Sequence, residues 1–247
     1  MLSIVIFLVS AGAAFLSSMS GGGSSAIAMP IFLSLGISFP LATVIVKAAS
    51  VFWLLPSSYN YLKGWKVDWR FLLWFAMAGL VGVYVGVLIV LHVNQRILEA
   101  TAGSFIIVFV SYVAGKKDAG TRNVTSPSRK REPLAYALAL PMGIYEGLLG
   151  SGNGIAFSAI SFYAKGFDFI DALGSYFCIS FFWSVFGSLM LIRRGYFSLP
   201  LLAPAVLGSV PGAYLGSKYA KYKGNRFIRY VFVLVGGFLG LKLILGF

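Results

Sequence analysis

The sequence is poor in the residues that enzymes and metalloproteins use most. Among its 247 residues there is one cysteine, Cys178, one histidine, His92, and only seven acidic residues. A single cysteine excludes an internal disulfide and a multi-cysteine metal site. A lone histidine leaves a zinc site or a Ser-His-Asp triad without most of the side chains that it requires. We therefore predict no enzyme, no metal and no cofactor.

Charged residues are also scarce. They make up 11% of the chain, hydrophobic residues make up 59%, and the mean hydropathy is +0.88. Soluble domains average about 25% charged and about 45–50% apolar residues. Residues 1–46 carry no charge, so the first apolar run lacks the basic start of a cleaved signal peptide and is expected to be a retained helix. The composition predicts an all-α, polytopic integral membrane protein with the lipid bilayer as its surroundings.

Apolar runs suited to a membrane recur along the chain. A spanning helix needs about 20 residues, and the predicted full spans are Leu41–Tyr61, Phe71–Leu91, Ile97–Gly115, Phe169–Ile192, Phe197–Ser217 and Phe227–Phe247. Leu2–Ser18 and Leu134–Leu149 are shorter, and two runs that follow glycine-rich breaks, Ser25–Leu35 and Ile155–Tyr163, are about half the length of a span. The pattern predicts two copies of five elements, each with a broken half-helix.

The two glycine-rich breaks occupy equivalent places in the two copies. Ser20–Gly23 and Ser151–Gly154 lie 131 positions apart, and the same offset relates Gly64 to Gly195. Helix-breaking glycines at matched positions of an internal repeat point to the substrate site of a secondary transporter. We expect a first membrane repeat at residues 1–115, a basic cytoplasmic linker at 116–133 and a second repeat at 134–247.

The distribution of lysine and arginine predicts the orientation. If loops 63–70, 116–132, 165–167 and 218–229 are cytoplasmic, they hold 15 basic residues, whereas the opposite loops hold only Arg96, Arg193 and Arg194. This assignment requires the second repeat to be inverted, with both termini outside the cell membrane. The net charge of +13 is then mainly a topology signal, and we predict no nucleic-acid partner. Arg193 and Arg194 either snorkel to headgroups or line an outer vestibule.

The breaks are also the candidate substrate site. A broken helix exposes backbone N–H groups, which membranes tolerate only inside protein or beside a water-filled cavity. A half-helix N-terminus offers these donors and about half a positive charge to a small anion. We expect two converging N-termini to bind an anion through Ser20, Gly21, Gly22, Gly23, Ser24, Ser25, Ser151, Gly152, Asn153 and Gly154. Alternatively, the glycines only allow helices to pack closely.

Two ionisable residues fall inside apolar runs, where a charge is costly and indicates function. Lys47 is the first charge in the chain and is a candidate cationic ligand, with snorkelling to the surface as the alternative. Cys178 is its counterpart 131 positions later and is included among the substrate-binding candidates, although lone cysteines are usually inert. Glu146 precedes the second break and either carries a proton during transport or is a static partner of Lys47.

Short motifs surround both breaks. The first half has three glycines followed by Pro30, then Ala42-Thr43 with Lys47, then Asp68-Trp69-Arg70 after Gly64, and the second half has the run Gly143–Gly154. Over nearly the whole chain these motifs resemble the sulfite exporter TauE/SafE family of membrane permeases. The resemblance implies transport of small sulfur-containing anions, such as sulfite, thiosulfate, sulfoacetate or other organosulfonates, across the plasma membrane of a prokaryote.

Two positions depart from the family pattern. Cys178 stands where the second repeat of the family often has a lysine, and Leu199-Pro200 replaces Asp-Trp after Gly195. The loss of one cationic ligand favours a singly charged substrate. One charge crossing about 100 mV is worth about 2.3 kcal/mol, so an anion can leave a negative cell interior without a coupled ion. We predict an exporter, a monomer or homodimer, with an anion channel or a permease for a small carboxylate as alternatives.

Overall fold

A computed structural model of the chain describes residues 1–21, 23–64, 67–90, 94–115, 132–148, 150 and 152–246. All regular structure in these ranges is α-helical, which confirms the predicted fold class. The helices are α1 (Leu2–Ser20), α2 (Ser24–Ser34), α3 (Phe39–Leu62), α4 (Trp69–Val90), α5 (Gln95–Gly115), α6 (Glu132–Leu148), α7 (Asn153–Ala164), α8 (Phe169–Ile192), α9 (Leu199–Lys223) and α10 (Asn225–Leu245). Within the described ranges, six helices are long and apolar enough to cross a membrane: α1, α3, α4, α8, α9 and α10.

Most predicted spans match these helices closely, and α8 has the predicted bounds. Helix α9 differs, because it continues to Lys223 whereas its apolar run ends at Ser217. Hydropathy marks where a span leaves the bilayer, but a helix continues until its backbone is interrupted. Here the interruption is Gly224, with a φ of 82°. Helix α6 begins at Glu132, inside the predicted linker, and residues 116–131 of that linker lie outside the described ranges.

Glycines in the left-handed region create both breaks. Helix α1 ends at Gly21, with a φ of 88°, and α2 begins after Gly23, with a φ of 115°. Helix α7 begins after Gly152, with a φ of 75°. Side chains with a Cβ rarely adopt these angles, so glycine allows the chain to stop one helix and start the next within a few residues.

Two pairs of helices pack in parallel along glycine-rich seams. Helix α9 presents Gly208, Gly212 and Gly216 to the backbone of Phe7, Ala11 and Phe15 on α1, in that order. Helix α4 meets α6 in the same way through Gly79, Gly82, Gly86, Gly143 and Gly147. Small residues allow such close approach of membrane helices. Close packing therefore explains the glycines of these seams.

Two other pairs, α3 with α8 and α5 with α10, run antiparallel. Near the start of α3, Lys47 lies beside Gly187 at the end of α8, and near the end of α3 the ring of Tyr61 lies 5.8 Å from that of Phe177. In each pair the two helices hold equivalent positions in the two halves of the chain: α3 and α8 are the third helix of each half, and α5 and α10 are the fifth. Inverted repeats require such helices to run antiparallel, and repeats of the same orientation would make them parallel. The inverted arrangement in the membrane stays a prediction.

Arginines at the helix starts join the ends of α5 and α10. Arg96, in the first turn of α5, donates to the backbone oxygens of Leu243 and Ile244 at the end of α10. Arg229, in α10, donates to the oxygen of Val113 at the end of α5 over 3.0 Å. The last carbonyl groups of a helix lack intrahelical partners and carry partial negative charge, so a guanidinium satisfies both needs.

The α1–α9 seam gives a direct test of the packing. In Gly212→Ala, the new Cβ would fall on the carbonyl oxygen of Ala11, so we expect destabilisation by roughly 1–3 kcal/mol, as for other overpacked sites. The measurement is thermal unfolding of the detergent-purified protein. In the control Gly12→Ala, nothing lies within 4 Å of the added Cβ, and stability should be unchanged or slightly raised because alanine favours a helix more than glycine does. Equal losses in both variants would contradict the close-packing explanation.

Candidate functional site

The two glycine breaks lie against each other. A Cβ on Gly154 would fall on the carbonyl oxygen of Gly21 and within 2.6 Å of Cδ1 of Tyr176. Only a residue without a side chain fits there. Two segments that are 131 positions apart in sequence are thus brought together, as the convergence hypothesis requires.

A small, partly open cavity lies next to this contact. Its walls come from both halves of the chain. The lining residues are Ser17, Gly23, Ser24, Ser25, Val46, Lys47, Ser50, Trp53, Leu54, Glu146, Gly150, Tyr176, Ser180 and Ser184. Five of the sequence-predicted site residues are among them: Gly23, Ser24, Ser25, Lys47 and Glu146.

Lys47 lies inside the bundle and is only 7% exposed. Its ammonium group donates a hydrogen bond to the backbone oxygen of Glu146. Because α6 ends at Leu148, this carbonyl is one of the last four of the helix, which have no intrahelical partner and attract a cation. The ammonium group of Lys47 therefore contacts the main chain of Glu146. Its side chain is buried inside the bundle and does not snorkel to the surface.

The Glu146 side chain is held by donors from α7 and α8. Its Oε2 accepts hydrogen bonds from Nδ2 of Asn153 over 2.8 Å and from the hydroxyl of Tyr176 over 3.2 Å. Its Oε1 accepts from the hydroxyl of Ser180 over 3.2 Å. A carboxyl group and an ammonium group thus share one cavity wall. Their charges can cancel or, if the carboxyl is protonated, leave one positive charge.

Among the described residues, only one of the two half-helix N-termini lines this cavity. Helix α2 begins there with Ser24 and Ser25, and the backbone N–H of Ser24 donates to Oγ of Ser17 over 3.0 Å. The second N-terminus is turned elsewhere, because Gly152 and Asn153 line a separate, largely apolar cavity between α5, α6 and α7. The expected symmetric cradle is thus unequal: the second break supplies Gly150 to the wall and Asn153 to the Glu146 carboxyl group.

The other predicted residues that the structure describes lie outside the cavity lining. Oγ of Ser20 bonds to the backbone oxygen of Leu16 over 2.9 Å. Cys178 is half-buried on α8. It lies two positions from both Tyr176 and Ser180, and two residues rotate a helix by about 200°, which turns it to another face. Gly22 and Ser151 lie outside the described residues.

Several residues with hydroxyl groups in the cavity wall were not among the predicted site residues. Tyr176, Ser180 and Ser184 recur every four residues on α8, and Ser50 follows Lys47 by three on α3. Residues three or four apart share one face of a helix, so this spacing was the available signal. Ser17 had no comparable signal, because its place depends on how α1 meets α2.

A second polar contact joins the two halves away from the cavity. Nζ of Lys165, just after α7, lies 2.9 Å from Oδ2 of Asp68, just before α4, and 4.8 Å from the ring centre of Phe71. Partial burial raises the pKa of Asp68, but the Phe71 N–H, Lys165 and Arg70 together hold it below its ordinary value. The ion pair therefore persists at neutral pH and is lost as the pH falls through this lowered pKa.

Known proteins match the chain along almost its whole length. The family model described as "Sulfite exporter TauE/SafE" matches residues 6–243. Probable membrane transporter protein ORF9 of Sinorhizobium sp is 28% identical over 244 residues, which cover 97% of this chain and 91% of that protein. A probable membrane transporter protein of Haemophilus influenzae is 22% identical over 249 residues, with coverage of 97% and 93%.

Proposed function

Because the chain belongs to the sulfite exporter TauE/SafE family, we propose that it carries a small sulfur-containing anion, such as sulfite, thiosulfate or an organosulfonate, across the cell membrane. Its family makes it a membrane transporter, and its apolar helices make it a multi-pass membrane protein. The identity of the anion, its binding site and the direction of transport are parts of the proposal.

The buried ammonium group of Lys47 is the observation that carries the proposal. It shares the cavity with the N-terminus of α2 and with the hydroxyl group of Ser184. An ammonium group, a helix N-terminus and hydroxyl donors all favour a negatively charged oxygen ligand. Sulfur oxyanions and sulfonates present three or more such oxygens, so they can use several of these donors at once.

Glu146 adds a reason for proton coupling. With Lys47 charged and Glu146 ionised, the two charges in the cavity cancel. Protonation of Glu146 leaves the ammonium charge uncompensated, which favours an anion. Binding of a proton and binding of the anion then strengthen each other by the same factor. We therefore propose Glu146 as the residue that takes up or releases a proton during the transport cycle.

The membrane potential favours export. One negative charge that leaves a cell across about 100 mV gains about 2.3 kcal/mol. A singly charged anion can therefore flow outward through this protein without another energy source. If a proton crossed the membrane with the anion, it would cancel that charge. Transport would then depend on the pH gradient and no longer on the electrical potential.

The first experiment is thermal unfolding of the detergent-purified protein with a panel of anions. The panel holds sulfite, thiosulfate, sulfoacetate, taurine, sulfate, chloride and acetate. We expect one sulfur anion to raise the melting temperature, and Lys47→Ala to weaken its binding at least about tenfold, which corresponds to about 1.4 kcal/mol. The control Lys223→Ala removes a lysine that lies over the exposed ring of Tyr219 and should bind as the wild type does.

The other outcomes separate the alternatives. Stabilisation by acetate alone would favour a carboxylate permease. If no anion stabilises the protein, or if an anion stabilises Lys47→Ala as much as the wild type, the anion site is overturned. In reconstituted vesicles, uptake that accelerates when the same anion is preloaded inside would indicate a carrier, whereas a channel would show no such acceleration.

A further inference from the structure

Four buried serine hydroxyls have no hydrogen-bond partner among the described residues: Ser57, Ser158, Ser161 and Ser175. Each serine is at most 1% exposed. A hydroxyl inside a helix usually bonds to a carbonyl of the preceding turn, as those of Thr43 and Ser50 do here. The four exceptions are costly to bury, so their burial needs an explanation.

Ser57 and Ser175 lie at the crossing of α3 and α8. They adjoin the contact in which the hydroxyl of Ser58 donates to the backbone oxygen of Gly174 over 3.2 Å. Ser57 is seven residues after Ser50, so it continues the face of α3 that lines the cavity. Ser57 therefore extends the cavity wall toward the end of α3, whereas Ser175, three residues before Cys178, lies on another face of α8.

Ser158 and Ser161 continue in the same direction on α7. Together with Gly154 and Lys165 they recur at spacings of four, three and four, which places them along one face of the helix. At one end of this face Gly154 touches Gly21 and Tyr176 at the cavity. At the other end Lys165 pairs with Asp68. The hydroxyls of Ser158 and Ser161 thus lie between the cavity and this ion pair.

Aromatic side chains close the space around the hydroxyls. The ring of Phe157 lies 5.2 Å from that of Phe75 and 6.0 Å from that of Tyr176. On the other side the ring of Phe177 lies 5.7 Å from that of Trp53. All five rings are almost fully buried. No passage is therefore open here in this conformation.

We propose that Ser57, Ser158 and Ser161 line the remaining part of the anion's route, which leaves the cavity between α3, α7 and α8, ends at Asp68 and Lys165, and is closed in this structure. The inference rests on the proposed function. When the helices separate, the hydroxyls donate to the passing anion or its water. Neutral donors suit a passage because a fixed cation would retain the anion. The competing explanation is that serine is present only for its small size.

The chain's cysteine content makes the test simple, because Cys178→Ser removes the only thiol. In that background we compare Ser158→Cys with Ala159→Cys, its buried neighbour on α7. The full-length protein in detergent is treated with 2-sulfonatoethyl methanethiosulfonate, a small sulfonate anion. We expect at least about tenfold faster labelling at position 158, since transient opening exposes only the route. Asp68→Asn should raise the rate at 158 further and leave that at 159 unchanged.

Equal labelling at positions 158 and 159 would overturn the route. Ser161→Cys is the second probe and must give the same ordering, with unchanged melting temperature as the check on folding. The outcome is independent of the anion panel. If an anion stabilises the protein in a Lys47-dependent way but positions 158 and 159 are labelled equally, the route alone is overturned. If the two positions are labelled unequally but no anion changes the melting temperature, the proposed substrate is overturned and the route is kept.

Discussion

Gly154→Ala is expected to abolish transport and to destabilise the protein strongly. The added methyl group would fall on the carbonyl oxygen of Gly21 and within 2.6 Å of the Tyr176 ring. Gly21 cannot move aside easily, because its φ of 88° is fixed by the end of α1. A single methyl group would therefore separate the two breaks and displace a residue that holds Glu146. We expect a loss of about 3 kcal/mol or more, at the upper end for overpacked sites.

Transport in reconstituted vesicles and thermal unfolding in detergent measure this effect. Gly237→Ala is the matched control, because it adds the same methyl group inside a helix where nothing lies within 4 Å. It should keep wild-type transport and stability. Normal anion-induced stabilisation in Gly154→Ala would show that contact between the breaks is not needed to form the cavity.

Glu146→Gln is expected to remove the pH dependence of anion binding. In the wild type, one proton bound with the anion makes affinity fall by up to tenfold per pH unit, so roughly 100-fold between about pH 6 and about pH 8. Glutamine has the same shape but cannot ionise, so the charge of Lys47 stays uncompensated at every pH. The variant should bind at about pH 8 as tightly as at about pH 6.

A sulfonate that does not itself titrate in this range is the suitable ligand, with binding measured by calorimetry. The other titratable groups beside Glu146 are Lys47, Tyr145 and Tyr176. Tyr176→Phe serves as the control, because it removes a hydrogen bond to the carboxyl group and leaves the group able to ionise. It should keep the pH dependence. An unchanged pH profile in Glu146→Gln would exclude this residue as the coupling group.

Much of the fold follows from hydropathy and glycine placement. Helix α8 has the predicted bounds because both of its ends combine an apolar boundary with a turn, at Asp168 and at Gly195. The end of α9 was not predictable in this way. The basic residues Lys218, Lys221 and Lys223 end the apolar run, but they do not interrupt the helix. Lys221 even donates to three backbone oxygens at the end of α3, a contact that only the tertiary structure creates.

The sequence predicted several residues of the candidate site, but it did not predict which atoms they contact. Lys47 and Glu146 stood out because a charge within an apolar run is costly. Their actual contact, from the ammonium group to a backbone oxygen, depends on where α6 ends relative to α3. The symmetry of the sequence also suggested equal roles for both breaks, and it placed Cys178 at the position that corresponds to Lys47. Helix packing gives them unequal places, because each break faces different neighbours.

The parallel glycine seams also have a consequence for synthesis of the chain. The principal neighbours of α1 and α4 are α9 and α6, so the first half cannot form these seams when it enters the membrane. Its helices must wait in lipid, or beside the insertion machinery, until later segments arrive. The order of translation therefore separates insertion from assembly, and the native bundle can close only after α9 has been made.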